Sequence, residues 1–164
     1  MTATLASIET NALHPAGLRI TGLLQDAESE DYDGLDLLCN GSVRIKYRQA
    51  KLTPKKAGNF VALWKRSASG GTAPFTLSDP FDFYMIAVHG GSRSGFFMFP
   101  RQALAGNGVL TNGPKEGKRG FRLYPGWVEA PNRQALNTQQ WQSGYFVDLD
   151  EKDAAARLRR IIHI

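Results

Sequence analysis

The dipeptide Asn40-Gly41 constrains this chain more than any other feature. Asn-Gly between two apolar runs is the strongest short-range hairpin signal, because both residues accept the positive φ of a tight turn. Leu35-Asp36-Leu37-Leu38-Cys39 precedes it, and a run from Val43 to Leu52 follows. In that second run Val43, Ile45 and Tyr47 alternate with Arg44, Lys46 and Arg48. A period of two sends the first set toward a core and makes the opposite face cationic. Phe60-Val61-Ala62-Leu63-Trp64 is a third candidate strand. From Gly41 to Ser78 there are eight Lys or Arg and no Asp or Glu. The stretch from Tyr32 to Arg66 therefore predicts a sheet with one basic face, and the functional question is what that face holds.

The flanking segments supply helices. Leu5 and Ile8 mark a first short one. After Pro15, the spacing of Ile20, Leu23, Leu24 and Ala27 predicts an amphipathic helix that ends in the acidic cluster Asp26 to Asp31. Phe81 to Val88 is the most β-prone apolar run and predicts a central strand. His89 to Gly95 turns it back into Phe96-Phe97-Met98-Phe99. Pro100 suits the first turn of a short helix through Leu104. Phe121 to Pro125 predicts a short strand, Asn132 an N-cap for a helix through Trp141, and Tyr145-Phe146-Val147 a last strand. Asp150 is the expected cap of a final helix, Glu151 to Ile162, with Arg157, Arg159 and Arg160 toward its C-terminal end. Helices around a sheet that begins with a hairpin make the class α/β or α+β, with a mixed sheet. At 164 residues, with no repeat and no linker, one domain spanning 1–164 is expected.

Composition narrows the partners. The net charge of +5 favours an anionic one, though where the charge clusters says more than the total. A single cysteine, Cys39, excludes an intramolecular disulfide and reads as strand core. No apolar stretch approaches the ~20 residues of a membrane span. The N-terminus has neither a basic start nor a long apolar core, so a reducing cytoplasm is the expected compartment. His14, His89 and His163 are scattered, and no His/Cys spacing suggests zinc. The glycines form neither a P-loop nor a dinucleotide fingerprint, and no nucleophile elbow is present.

One arrangement of residues suggests chemistry. Alternation puts Gln49 and Lys51 on one strand face, and Asp36 is expected near them across the Asn40-Gly41 turn. Asp36, the Gln49 amide oxygen and an acidic residue from the preceding cluster, Glu28 or Glu30, would then hold a hard cation such as Mg²⁺. Lys51 would orient a water or stabilise charge on a phosphate. Asp36 followed by Gln49-Ala50-Lys51 resembles the D…(E/Q)-x-K signature of restriction-endonuclease-like nucleases, which implies a scaffold of that kind. A glutamine in place of a carboxylate implies a weak metal site and slow turnover, or none.

A second resemblance spans roughly 22–147. The segments RQAKLTPKKAGNFVALWKR, GFFMFPRQAL, EGKRGFRLYPGW and ALNTQQWQSGYF resemble the MepB-like family. Its recurring features fall on Glu28, Tyr32, Arg48, Lys51, Thr53, Pro54, Lys56, Gly58, Trp64, Lys118, Arg119, Tyr124, Trp127, Gln140 and Trp141. The founding member of that bacterial cytoplasmic family is encoded beside a multidrug efflux pump and its repressor. The resemblance implies a family rather than a reaction.

Two function classes follow. In the first the protein binds DNA or RNA on a nuclease-like scaffold, with little or no phosphodiesterase activity. Segments 44–66 and 115–122 interleave cations with aromatics, the pattern of nucleic-acid grooves. The expected contacts are Arg48, Lys51, Lys55, Lys56, Lys65, Arg66, Lys118, Arg119, Arg122, Tyr124 and Trp127. In the second class the same cations hold an anionic small molecule or a protein partner, as an accessory factor linked to drug-resistance operons by the family resemblance. Trp64 is expected in the core. The sequence does not set the oligomeric state.

Overall fold

A computed structural model describes residues 1–163. The chain opens with helix α1 (Ala3–Ile8), whose first turn is capped by Thr2, and continues through a wider π turn, Glu9–Leu13. The strands are β1 (Ile20–Gln25), β2 (Leu35–Cys39), β3 (Val43–Gln49), β4 (Lys51–Leu52), β5 (Asn59–Ala62), β6 (Lys65–Arg66), β7 (Thr72–Ala73), β8 (Phe83–Gly90) and β9 (Arg93–Pro100). Helix α2 (Arg101–Gly106), β10 (Gly120–Leu123), α3 (Arg133–Ser143), β11 (Phe146–Asp148) and α4 (Ala154–Ile162) complete the chain.

The main sheet has six strands in the order β1-β2-β3-β8-β9-β11. Its one parallel pair is β3 with β8, so the sheet is mixed. A parallel connection needs a crossover, usually a helix. Here the crossover carries β4 to β7, and β4 and β5 join β10 in a second sheet ordered β10-β5-β4. Strands β8 and β9 are buried on both faces, which explains their unbroken apolar runs. On one face Ile45, Tyr47, Met85 and Met98 pack under Leu5, Ile8, Leu13 and Leu158 from the terminal helices. On the other, Tyr84, Ile86, Phe97 and Phe99 pack under Val61, Leu63, Phe75 and Leu123 from the crossover and β10. No described helix is long and apolar enough to cross a membrane.

The Asn40-Gly41 hairpin forms as expected, with φ of 53° and 71° at the two residues. Asn132 caps α3 through its side-chain oxygen, which accepts from the Ala135 N–H at 2.9 Å. The helix expected over 20–27 is instead the strand β1, paired antiparallel with β2. A short apolar run fits either period, and pairing with an available sheet edge outweighs local spacing. The acidic cluster that follows forms a 3₁₀ turn, Ala27–Tyr32, capped by Asp26. The last helix starts at Ala154, with Asp153 rather than Asp150 at its cap.

Candidate functional site: a cationic cleft

The expected cation site is not assembled. Asp36 pairs in register with Lys46, so the two side chains share a face. Gln49 is three residues beyond Lys46, and strand alternation turns it to the opposite face. The triplet on Asp36's side of the hairpin is therefore Lys46-Tyr47-Arg48, not Gln49-Ala50-Lys51. A lysine occupies the position that a second carboxylate would need. Its ammonium lies 2.6 Å from Asp36 Oδ1 and 3.2 Å from Asp26 Oδ2, so a cation of the chain itself stands between the two carboxylates. Glu28 is spent on Arg66 at 2.9 Å. Lys51 is exposed in the second sheet, with its ammonium 4.7 Å from the centre of the Tyr32 ring. These residues do not fit a Mg²⁺ ion. No cluster of three or more His, Cys, Asp or Glu able to hold a metal occurs among the described residues.

The basic face of β3 is also not free. Arg48 is fully buried, donates to Asp26 Oδ2 at 2.7 Å and to the Tyr47 carbonyl at 2.9 Å. Gly34 makes room for it, since a Cβ there would lie 2.9 Å from Arg48 Nη1. Lys46 is buried as well and sits 4.3 Å and 5.0 Å from the Phe81 and Phe75 ring centres. Burial alone would raise the pKa of Asp26. The Arg48 guanidinium and Lys46 ammonium, with the Glu28 amide, reverse that and hold it below the ordinary carboxylate value. Neither Lys46 nor Arg48 is presented to a ligand, which corrects the expected role of Arg48.

Free cations gather elsewhere. A cleft of about 580 Å³ opens between β10, the 53–58 turn and the N-terminal part of α3. Lys55, Lys56, Lys118 and Arg122 line it together with Tyr124 and Trp141, and none of its lining residues carries a carboxylate. Alternation along β10 drives Phe121 and Leu123 inward and turns Arg122 toward the cleft. Arg122 donates to Thr53 Oγ1 at 2.6 Å and to the Ala57 carbonyl at 3.0 Å, which fixes the turn that displays Lys55 and Lys56. Gly58 closes that turn at φ 82°, and a side chain there would run into the Leu123 carbonyl. Buried Gln142 docks α3 on β10. Its amide donates to the Arg122 carbonyl, and its oxygen accepts from the Tyr124 N–H, both at 2.9 Å.

The start of α3 adds to the field. Pro131, Asn132, Gln134 and Ala135 line the cleft, so the positive end of the helix dipole faces it. The first turn of α3 has no acidic residue and begins with Arg133, against the usual preference for anions there. Helix ends of this kind receive anions.

Five of the expected contacts, Lys55, Lys56, Lys118, Arg122 and Tyr124, thus meet in one place. The others do not. Lys65 pairs with Asp79 at 2.8 Å. Arg66 pairs with Glu28 and lies over the Trp64 ring at 5.3 Å. Arg119 bonds to Thr72 and Glu116. Trp127 packs on Phe146, with Arg93 over it at 5.2 Å. Trp64 is half-buried rather than part of the core. Sequence reasoning missed the α3 terminus as part of the site, although Asn132 beside Arg133 was the available signal. A second depression of similar volume has one cation, Arg101, and no aromatic residue among Thr76, Ser78 and its other lining residues, so it lacks this chemistry.

The MepB-like family model matches residues 26–148, which include every lining residue of the cleft. The crystal structure of MepB superposes with a TM-score of 0.79 at 31% identity, covering 93% of this chain and 100% of that one. A bacterial homing endonuclease superposes with a TM-score of 0.41 at 13% identity, covering 85% of this chain and 90% of its own. No curated protein matches.

Proposed function

From the premise that this chain belongs to the MepB-like family, we propose that it binds nucleic acid through the cleft between β10, the 53–58 turn and α3. The observation that carries the reading is the cleft's charge. Four cations and a helix N-terminus converge with three aromatic rings, and no carboxylate of the lining neutralises them. Cations for phosphates and rings for bases are the parts of a sequence-tolerant nucleic-acid groove. DNA and RNA both present them. The protein binds without metal-dependent phosphodiester cleavage, because Lys46 stands where a metal would need a carboxylate. It works in a reducing cytoplasm, where buried Cys39, its thiol pushed up to about 11 by burial and by Glu9, stays unreactive.

The test is fluorescence anisotropy with labelled single- and double-stranded oligonucleotides across a salt series. Four phosphate contacts predict that log Kobs falls against log salt with a slope of about −3 to −4. Lys55→Ala with Lys56→Ala should lower that slope by about two and weaken all sequences alike. Absence of binding to any of these oligonucleotides at low salt would overturn the reading. The cleft's volume also suits a compact ligand. An anionic small molecule is therefore the second reading, and it predicts that a mononucleotide competes as well as a long strand.

A further inference from the structure

The strand β1 lies at the edge of the main sheet, and no described strand pairs with its outer side. Natural edges are blunted by charge, proline, bulges or cover, since a free edge is a template for another strand. This one has none of the usual charged guards. Ile20-Thr21-Gly22-Leu23-Leu24-Gln25 contains no charged residue and no proline. Leu23 and Leu24 are 43% and 69% exposed, among the few large apolar side chains left in solvent. They flank an open depression of about 460 Å³ that Leu38 and Phe81 also line. A bulge between Ile20 and Gly22 leaves the register from Gly22 to Gln25 regular.

We propose that β1 is a dimerisation edge, joining a second copy of this chain antiparallel about a two-fold axis. The charges at its two ends select a second copy. At one end stands Arg19, exposed and outside every described ion pair. At the other stand Glu30, Asp31 and Asp33, all exposed and likewise outside those pairs. Antiparallel self-pairing sets the basic end of each strand toward the acidic turn of its partner. It also lays the two Leu23-Leu24 pairs beside each other, in the isologous arrangement of a two-fold dimer. The opposite edge of the sheet offers no such template, because β11 has three residues.

Sedimentation velocity over a concentration series at low salt tests this. The parent should show a reversible monomer–dimer equilibrium. Leu24→Lys puts like charges near the axis and should raise the dimer dissociation constant at least about tenfold. Arg19→Glu should weaken it too, by removing the end-to-end attraction. Both residues are exposed, so far-UV circular dichroism and melting should match the parent. A parent that stays monomeric at its highest soluble concentration overturns the proposal, as does a dimer that both variants leave intact. Association with an extended peptide of another protein and never with itself would also refute the choice of a second copy.

Discussion

Two cationic regions of this molecule, built from the same residue types, come to opposite ends. On β3, Lys46 and Arg48 are buried and held by Asp26 and Asp36. In the cleft, Lys55, Lys56 and Lys118 are exposed and make no described ion pair. The difference is whether the fold brings a carboxylate within reach. Asp26 arrives from the end of β1 and Asp36 from β2, and both reach β3 only because the sheet orders these strands as neighbours. No carboxylate is among the residues that line the cleft. Charge clustering along the sequence therefore marks where cations are, while the sheet order decides which are neutralised at home. Lys46 of the β3 cluster packs on Phe75 and Phe81 of the crossover, while the lysines of the cleft keep their charge without an ion pair among the described residues.

The largest effect should come from unpairing the β3 cluster. Asp26→Ala leaves Arg48 and Lys46 buried with one carboxylate fewer, and should cost about 3–5 kcal/mol in urea denaturation. Adding Arg48→Met should recover part of the loss, since removing both partners is milder than stranding one. If the double variant is no more stable than the single one, lost packing rather than the stranded charge is responsible. The same cluster sets a pH dependence. The Asp26 pKa is lower in the folded chain than its ordinary 3.8, so the ionised form is the one folding stabilises. That contribution is present above about pH 4 and is lost as pH falls through the folded-state value. Asp26→Asn should therefore flatten the acid limb of the stability curve. An acid limb as steep as the parent's would place the titrating group elsewhere.

What could be read in advance divides along the same line. Local signals were legible: the Asn40-Gly41 turn, the apolar run of β8 and the Asn132 cap all rest on neighbours in sequence. The strand β1 was not, because Ile20, Leu23 and Leu24 satisfy a helical period and only the presence of β2 beside them decides. The metal site failed on parity. Asp36 opposite Lys46 fixes which β3 residues share its face, and the register is set by a three-residue connection, Asn40 to Ser42, rather than by the motif's spacing. In the cleft the cations and Tyr124 were legible as residue types. Their convergence was not, because it depends on β10 pairing with β5 and on Gln142 docking α3.

A smaller effect should come from the cleft, and of a different kind. Lys55→Ala with Lys56→Ala removes two exposed cations without ion pairs, so stability should change by less than about 0.5 kcal/mol. Binding to oligonucleotides should nevertheless weaken about tenfold or more at low salt. Asp26→Asn, compared at neutral pH under conditions where it is fully folded, should bind like the parent. A binding loss in Asp26→Asn, or a stability loss in the lysine pair, would mean that the two regions are coupled and the division drawn above is false.

The smallest effect has the most informative sign. Arg133 begins α3, where the helix dipole repels a cation and no acidic side chain of the first turn offsets it. Ala and Arg have similar helix propensities, so Arg133→Ala isolates the dipole contribution. Removing the charge should raise stability by about 0.3–0.5 kcal/mol at low ionic strength, and the gain should shrink as salt screens it. Oligonucleotide affinity should fall at the same time, because the field at the mouth of the cleft becomes less positive. An arginine removed from β3 is expected to weaken the fold, and one removed from the first turn of α3 to strengthen it. If Arg133→Ala melts below the parent, or gains stability without any loss of affinity, the α3 terminus is no part of the site and the cleft's field rests on its lysines and Arg122 alone.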